Sequence, residues 1–257
     1  MMTEPLISIV MPAYNAEKTI KDAIQSVINQ TYKHWELLVI DDCSKDSTKE
    51  IVQQLCKKDT RIILLKNEKN LGVSKSRNYG IRKSQGSWIA LLDSDDMWVA
   101  EKLEKQYRLL NQREDADLIF TGSSFINSDG DSFTYILHVP KQIIYKQLLK
   151  QNLISCSSVL VRRELLELYP MQRDDMHEDF IVWLQILKKG GKAYGLDEPL
   201  LIYRLSVKSK SGNKKKAAQM TYQVYQLMGL NTAQSIYYFF WYAVKNYKKY
   251  KRIYSKR

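Results

Sequence analysis

The chain has 257 residues, 44% of them hydrophobic and 26% charged, and its 40 Lys and Arg against 28 Asp and Glu give a net charge of +12. That composition fits one sizeable globular domain with an appendage, or two small ones. It speaks against a disulfide framework or a zinc site, because Cys43, Cys56 and Cys156 have no CxxC spacing, and against a membrane span, because the longest wholly apolar run, 236–244, is far shorter than the roughly 20 residues required.

At the start of the chain, residues 1–8 carry Glu4 and no basic leader, so no signal peptide is expected. Residues 6–11 predict a first strand, stopped by Pro12, and Pro12-Ala13-Tyr14-Asn15 a loop. Ile20, Ala23, Ile24, Val27 and Ile28 recur at the spacings of one buried helix face. Residues 35–40 predict a second strand that delivers Asp41 and Asp42 at its carboxyl end. Ser44 and Ser47 offer N-caps for a helix through Ile51, Val52 and Leu55, and 61–65 predict a third strand. Asn70-Leu71-Gly72 turns into a helix carrying Lys75, Arg77 and Asn78. Strands alternating with helices predict an α/β fold with a mostly parallel sheet flanked by helices.

The most informative stretch is 86–98. Five apolar residues, 88–92, lead into Asp93-Ser94-Asp95-Asp96. Such a run reads as a buried parallel strand. Asp93 then falls at its carboxyl end, where open α/β sheets place their ligands. Three like charges repel unless a cation sits among them, and Mg²⁺ takes one or two carboxylates and completes its shell with substrate phosphates. The stretch therefore reads as a metal-diphosphate site, against the alternative of an acidic turn capping a helix that starts near Met97. The first strand–helix turn lacks G-x-G-x-x-G and no Walker A sequence occurs. A diphosphate would be held by the cation, with Lys75 or Arg77.

Ser8-Ile9-Val10-Met11-Pro12-Ala13-Tyr14-Asn15, then Val39-Ile40-Asp41-Asp42-Cys43-Ser44, then Asn70-Leu71-Gly72 with Ser76-Arg77-Asn78-Tyr79-Gly80, then Leu92-Asp93-Ser94-Asp95-Asp96, resemble the ordered motifs of family 2 glycosyltransferases. These are inverting enzymes with the GT-A fold, and the resemblance covers roughly residues 6–205. It implies that Pro12, Ala13, Tyr14 and Asn15 meet the nucleotide, that Asp42 accepts the uracil N–H, and that Arg77 faces the diphosphate or base. Asp93 and Ser94 would lie near ribose and sugar, and Asp95 with Asp96 would bind Mn²⁺ or Mg²⁺. The residues by themselves also allow Tyr14 to pack on the sheet edge, Asp41 to cap the next helix, and Arg77 to be a solvated helix residue.

In the second half, 117–122 predict a strand, 127–131 a hairpin turn, 143–149 a helix, and 155–161 a strand leading to a helix from Arg163. His177-Glu178-Asp179 opens a helix marked by Ile181, Leu184 and Leu187 and ended by Gly190-Gly191. Acids in a first turn suit the helix dipole by themselves. The resemblance implies more: Asp179 as general base and Glu178 orienting the acceptor. His177 is open to three readings, metal ligand, acceptor contact or plain helix start. Residues 199–204 predict a closing strand, with Arg204 near the diphosphate. The division expected is a catalytic domain over 1–205, with 6–98 for the nucleotide sugar and 99–205 for the acceptor, and a helical tail over 206–257.

After Glu198 the chain holds 13 Lys and Arg and no acidic residue. Such asymmetry points to an anionic partner. Phe240, Ala243, Tyr247, Tyr250 and Tyr254 share one helical face, and Lys245, Lys248, Lys249, Arg252 and Lys256 the opposite one. The pattern suits an interfacial helix at 237–257 on an anionic bilayer, against the alternative of a helix docked on the catalytic domain. No nucleic-acid partner is expected, since no DNA- or RNA-binding motif appears. The expected function is transfer of a hexose from a nucleotide sugar, UDP-linked, to a glycan or glycolipid acceptor of the O-antigen, capsule or lipooligosaccharide type. The expected location is the cytoplasmic face of the cell membrane. The alternatives are a nucleotide-sugar-binding protein of the same fold with another donor, and a nucleic-acid module using the tail.

Overall fold

The computed structural model describes residues 4–205 and 214–255. Of the basic tail, Lys208, Lys210, Lys256 and Arg257, and the side chains of Lys214, Lys215, Lys216 and Tyr254, lie outside the described residues. The apolar runs and periodic segments of the first half alternate as β1 (Ile7–Ala13), α1 (Ile20–Ile28), β2 (Trp35–Asp41), α2 (Thr48–Cys56), β3 (Ile62–Lys66), α3 (Val73–Lys83) and β4 (Trp88–Leu91). Every residue of β1, β2 and β4 is buried, as strands covered on both faces require. There follow β5 (Met97–Trp98), α4 (Lys102–Gln112), β6 (Leu118–Ile126), β7 (Ser132–Leu137), β8 (Gln142–Ile143) and α5 (Tyr145–Leu148). The chain ends with β9 (Leu160–Arg162), α6 (Arg163–Leu168), α7 (Glu178–Lys188), β10 (Ala193–Arg204), α8 (Lys214–Leu227) and α9 (Thr232–Ser255).

The sheet has the order β3-β2-β1-β4-β9-β6-β10-β5, with β7 on β6 and β8 on β10. β9 is antiparallel to both β4 and β6, and β5 to β10. The other six strands along that path run one way, so their carboxyl ends share one edge.

Three expectations are corrected. β1 runs through Pro12, which is in register with Ile40 of β2. On its other side β4 has ended, since the last pair there is Val10 with Leu91. The missing proline N–H therefore breaks no ladder bond. Met97 starts no helix: Met97 and Trp98 pair with Ile202 and Leu201 of β10, and the helix begins at Lys102. The predicted strand at 155–161 is a 3₁₀ turn, Cys156–Ser158, before β9.

The tail also differs. Tyr238, Phe239 and Tyr242 of α9 and Val224, Tyr225 and Met228 of α8 pack into the core that contains Phe180 and Trp183 of α7. Farther along, fully buried Ile253 joins Phe125 and Phe133. Those contacts choose the docked face, so Phe240 and Tyr247 stay 60% and 69% exposed. Lys248, Lys251 and Arg252 continue the outward side. The exposed arc carries Phe240 and Tyr247 together with Lys248, Lys251 and Arg252, while Lys249, of the set expected opposite the aromatics, lies over the Phe125 ring on the docked side. Among the described residues no helix is long and apolar enough to cross a membrane.

α3 lies close on β1 and β2 because Gly80 presents no side chain: a Cβ there would stand 2.6 Å from both Val10 Cγ1 and Ile40 Cδ1. Overpacking of this kind costs about 1–3 kcal/mol. Gly80→Ala is expected to lower the unfolding free energy by that amount, read as a lower urea midpoint with an unchanged slope; an unshifted midpoint would show that α3 is free to move outward.

Candidate active site

At the carboxyl edge of the sheet, the loops after β1, β2 and β4 face α7, α8 and α9 across a cleft of about 1340 Å³. Pro12, Ala13, Tyr14, Asn15, Asp42, Arg77, Asp93, Ser94, Asp95, Asp96, Glu178 and Asp179 all line it. The structure thus brings these residues together, whereas Lys75, the other diphosphate candidate, lines a separate pocket with Asn67 and Asn78.

On one side, the loops after β1 and β2 are laced to each other. Ala16 N–H donates to Thr48 Oγ1 at 2.7 Å and Lys45 N–H to Asn15 Oδ1 at 2.8 Å. Asn15 therefore fixes the loop with its side-chain oxygen, from a left-handed backbone at φ 50°. Tyr14 beside it is 49% exposed. Asp42 is buried: its Oδ1 accepts from Leu71 N–H at 2.8 Å and Asn67 Nδ2 at 2.7 Å, its Oδ2 from Gly72 N–H at 2.8 Å. A carboxylate has about four acceptor sites, so one is left for a ligand. Asp41 instead accepts Ser44 N–H, closing the turn. Gly72, at φ +87°, is required both by its backbone and by Asp174, whose Oδ2 would stand 1.9 Å from a Cβ.

Arg77 forms the floor. Its guanidinium is buried, with Nη1 donating to Glu178 Oε1 at 2.8 Å and Nη2 to Asp93 Oδ1. The sequence turned Arg77 toward a diphosphate; both its terminal nitrogens are held by carboxylates. Burial by itself would lower its pKa, but Asp93 and Glu178 hold it well above the usual arginine value.

The other acids are under strain from burial and from one another. Asp95 is pushed up to about 6, by burial first and then by the Asp93 charge. Its carboxylate takes no hydrogen bond or ion pair from another described residue, while its carbonyl accepts from Arg204 Nε at 3.0 Å. Asp96 is buried and is pushed well up by burial, then by Asp95 and Asp93. Its Oδ1 accepts the Arg204 main-chain N–H at 2.9 Å, whereas its buried Oδ2 has no partner. Asp179, in the first turn of α7, is pushed up to about 7, by burial and then by Glu178. Unrelieved negative charge and an orphaned buried carboxylate oxygen fit a hard, oxygen-seeking cation at Asp95 and Asp96. Among the described residues no three His, Cys, Asp or Glu side chains form a preformed cage. A cation that shares its shell with water and substrate phosphate needs none.

His177 precedes α7, with Nε2 3.3 Å from the Ala217 carbonyl of α8. Sequence reasoning missed Ser157, whose Oγ accepts Asp93 N–H at 3.0 Å; its only signal was the small polar run 155–158. It also missed the far wall, where Thr221 of α8 and Tyr242, Asn246 and Lys251 of α9 line the cleft. Asn246, a polar residue inside an aromatic and basic helix, was the available clue.

Comparison with known proteins shows the family and the fold. The family model described as "Glycosyl transferase family 2" matches residues 8–169. The chain is 39% identical over 96% of its length to the putative teichuronic acid biosynthesis glycosyltransferase TuaG of Bacillus subtilis, covering 98% of that protein. It is 38% identical, covering 96% of both chains, to WfgD of Escherichia coli, a UDP-Glc:alpha-D-GlcNAc-diphosphoundecaprenol beta-1,3-glucosyltransferase. In fold it is similar to the mannosyltransferase PcManGT of Pyrobaculum calidifontis in complex with GDP-Man and Mn²⁺, with a TM-score of 0.71 and 17% identity over 90% of this chain and 66% of that one.

Removing a partner from a buried ion pair costs about 3–5 kcal/mol. Lysine is a single point donor that reproduces no fork between two carboxylates. Arg77→Lys is therefore expected to lose stability approaching that range in chemical denaturation; wild-type stability would mean the two acids need no bridge.

Proposed function

The chain belongs to glycosyl transferase family 2, and we propose that it moves a hexose from a UDP-sugar, with inversion, onto a hydroxyl of a lipid-linked surface glycan. One observation carries this reading: Asp42, the turn 93–96 and Asp179 converge on a single cleft. The name of the E. coli relative specifies UDP-glucose and a diphosphoundecaprenol-linked acceptor, which supports both substrate classes here.

Tyr14 offers an open ring for the base to stack on. The remaining acceptor site of Asp42 takes the uracil N–H. Asp93 and Ser94 hold ribose and sugar. Asp95, backed by Asp96, would hold Mn²⁺ or Mg²⁺, which when bound neutralises charge on the departing diphosphate. Glu178, anchored on Arg77, orients the acceptor. Asp179 takes the proton from the acceptor hydroxyl as its oxygen attacks the anomeric carbon opposite the diphosphate. A single displacement inverts the configuration, and the enzyme needs no nucleophile of its own.

A donor panel with Mn²⁺ or Mg²⁺ tests this. Asp179→Asn is expected to lower transfer by about 10²–10⁴-fold while UDP still binds; transfer at the wild-type rate would place the base elsewhere. Asp179 works only when ionised and its carboxyl is pushed up to about 7. The wild-type kcat/KM should therefore rise with pH through about 7 and level off above it. Removing the metal with EDTA, or Asp95→Ala, should weaken UDP binding, and binding indifferent to both would rule out the cation.

The outward face of α9 supports peripheral attachment to an anionic membrane. Ile236, Phe240 and Tyr247 are 59%, 60% and 69% exposed, with Lys248, Lys251 and Arg252 following. Aromatic residues enter the headgroup region and cations face anionic lipid. The protein should sediment with phosphatidylglycerol vesicles, less so in high salt or as Phe240→Ser with Trp241→Ser; equal sedimentation with neutral vesicles would argue for another surface.

A further inference from the structure

The reading above leaves the acceptor with Asp179 and Glu178 and no binding surface of its own. The docked helix supplies one. Tyr242 of α9 packs against Phe180, the neighbour of Asp179, with ring centroids 6.0 Å apart. Burial pushes its hydroxyl up to about 12, with Thr221 and Asn246 pulling the other way and the Asp179 charge adding to the rise. The base and this polar group thus share one end of the cleft. The charged neighbours of Asp179 are already engaged with one another, Arg77 donating to Glu178 and Asp93. The α8–α9 wall, lined by Thr221, Tyr242 and Asn246, offers polar groups for the remainder of an acceptor sugar whose hydroxyl reaches Asp179. Ala218 and Ala243 keep that wall low enough for a ring.

The same helix carries the wall outward. Tyr242, Asn246, Tyr247 and Lys251 all line the cleft, and at 3.6 residues per turn they step from its docked side to its exposed side. Lys251 is exposed at the rim, beside the aromatic stripe that faces outward. A cation there suits an anion that stays at the mouth while the sugar enters and an apolar chain remains outside.

We propose that the cleft side of α9, from Tyr242 at its docked face out to Lys251 at the rim, is the acceptor subsite for a lipid-linked glycosyl diphosphate, with Tyr242 and Asn246 against the sugar and Lys251 on the diphosphate. This rests on the family 2 transfer reading with Asp179 as base. The nucleoside diphosphate of the donor is the other anion that Lys251 could serve, and the test separates the two.

The full chain is assayed with two acceptors bearing the same sugar: the α-N-acetylglucosaminyl diphosphate of a medium-chain alcohol, and the alkyl glycoside without phosphate. UDP affinity is measured beside them. Lys251→Ala is expected to raise the KM of the diphosphate acceptor about tenfold, the scale of one charge-assisted hydrogen bond. It should leave the glycoside KM and UDP affinity unchanged. Asn246→Ala should raise the KM of both acceptors, again at constant UDP affinity. A loss of UDP affinity in Lys251→Ala would assign the lysine to the donor and overturn the proposal, as would unchanged KM values in both variants. Failure of the wild type to bind any UDP-sugar would overturn the transfer reading beneath it, a result distinct from either.

Discussion

One buried guanidinium bridges carboxylates from distant parts of the chain, and much of the cleft depends on it. Arg77 joins Asp93, at the end of β4, to Glu178, at the start of α7. Six carboxylates line this cleft. In a poorly solvated site like charges repel strongly, and burial already drives Asp95, Asp96 and Asp179 toward their protonated forms. Arg77 bridges two of the six and so fixes the first turn of α7 against the sheet. The nucleotide side and the base side are one electrostatic unit. α3, which carries Arg77, is in turn held by Asn67, Leu71 and Gly72 around Asp42.

The sheet makes this arrangement reachable. With six strands aligned, the loops that carry Tyr14, Asp42 and Asp93 emerge at one edge. The reversed β9 brings the turn before it back beneath the acids, where Ser157 holds Asp93 N–H and accepts the Trp98 indole N–H on its carbonyl. β10 then closes the acidic turn from the far side through Arg204, whose main chain meets Asp96 and whose side chain meets the Asp95 carbonyl. The acids are thus held by backbone and side-chain bonds from β10, the turn before β9 and α3, leaving the Asp95 carboxylate without a bond from another described residue.

The C-terminal helices belong to the same construction. α8 and α9 bury aromatic residues against α7 and against β6 and β7. A helix expected as an appendage is thereby a wall of the cleft, and its outward residues are those left over after docking. Burial of Tyr238, Phe239, Tyr242 and Ile253 outweighs the alternative phases of a helix that is aromatic almost all round.

Local chemistry made much legible in the sequence alone. Apolar runs ending in Asp41-Asp42 and in Asp93-Ser94-Asp95-Asp96 identify buried strands and a charged edge, because a run of that length must be covered on both faces. The periodicity of the first helix and the acids opening α7 were readable for the same local reasons. Tertiary structure alone decided the rest. Trp98 became a strand residue because Leu201, about a hundred positions later, offers it a ladder partner. Pro12 stays in a strand because β4 stops short beside it. Arg77 turned from an open helix face to the floor because Glu178 waits there. The docked face of α9 was set by Phe125 and Phe180, since a helix with Tyr237, Tyr238, Phe239 and Phe240 in succession has no unique apolar side until a partner surface selects one.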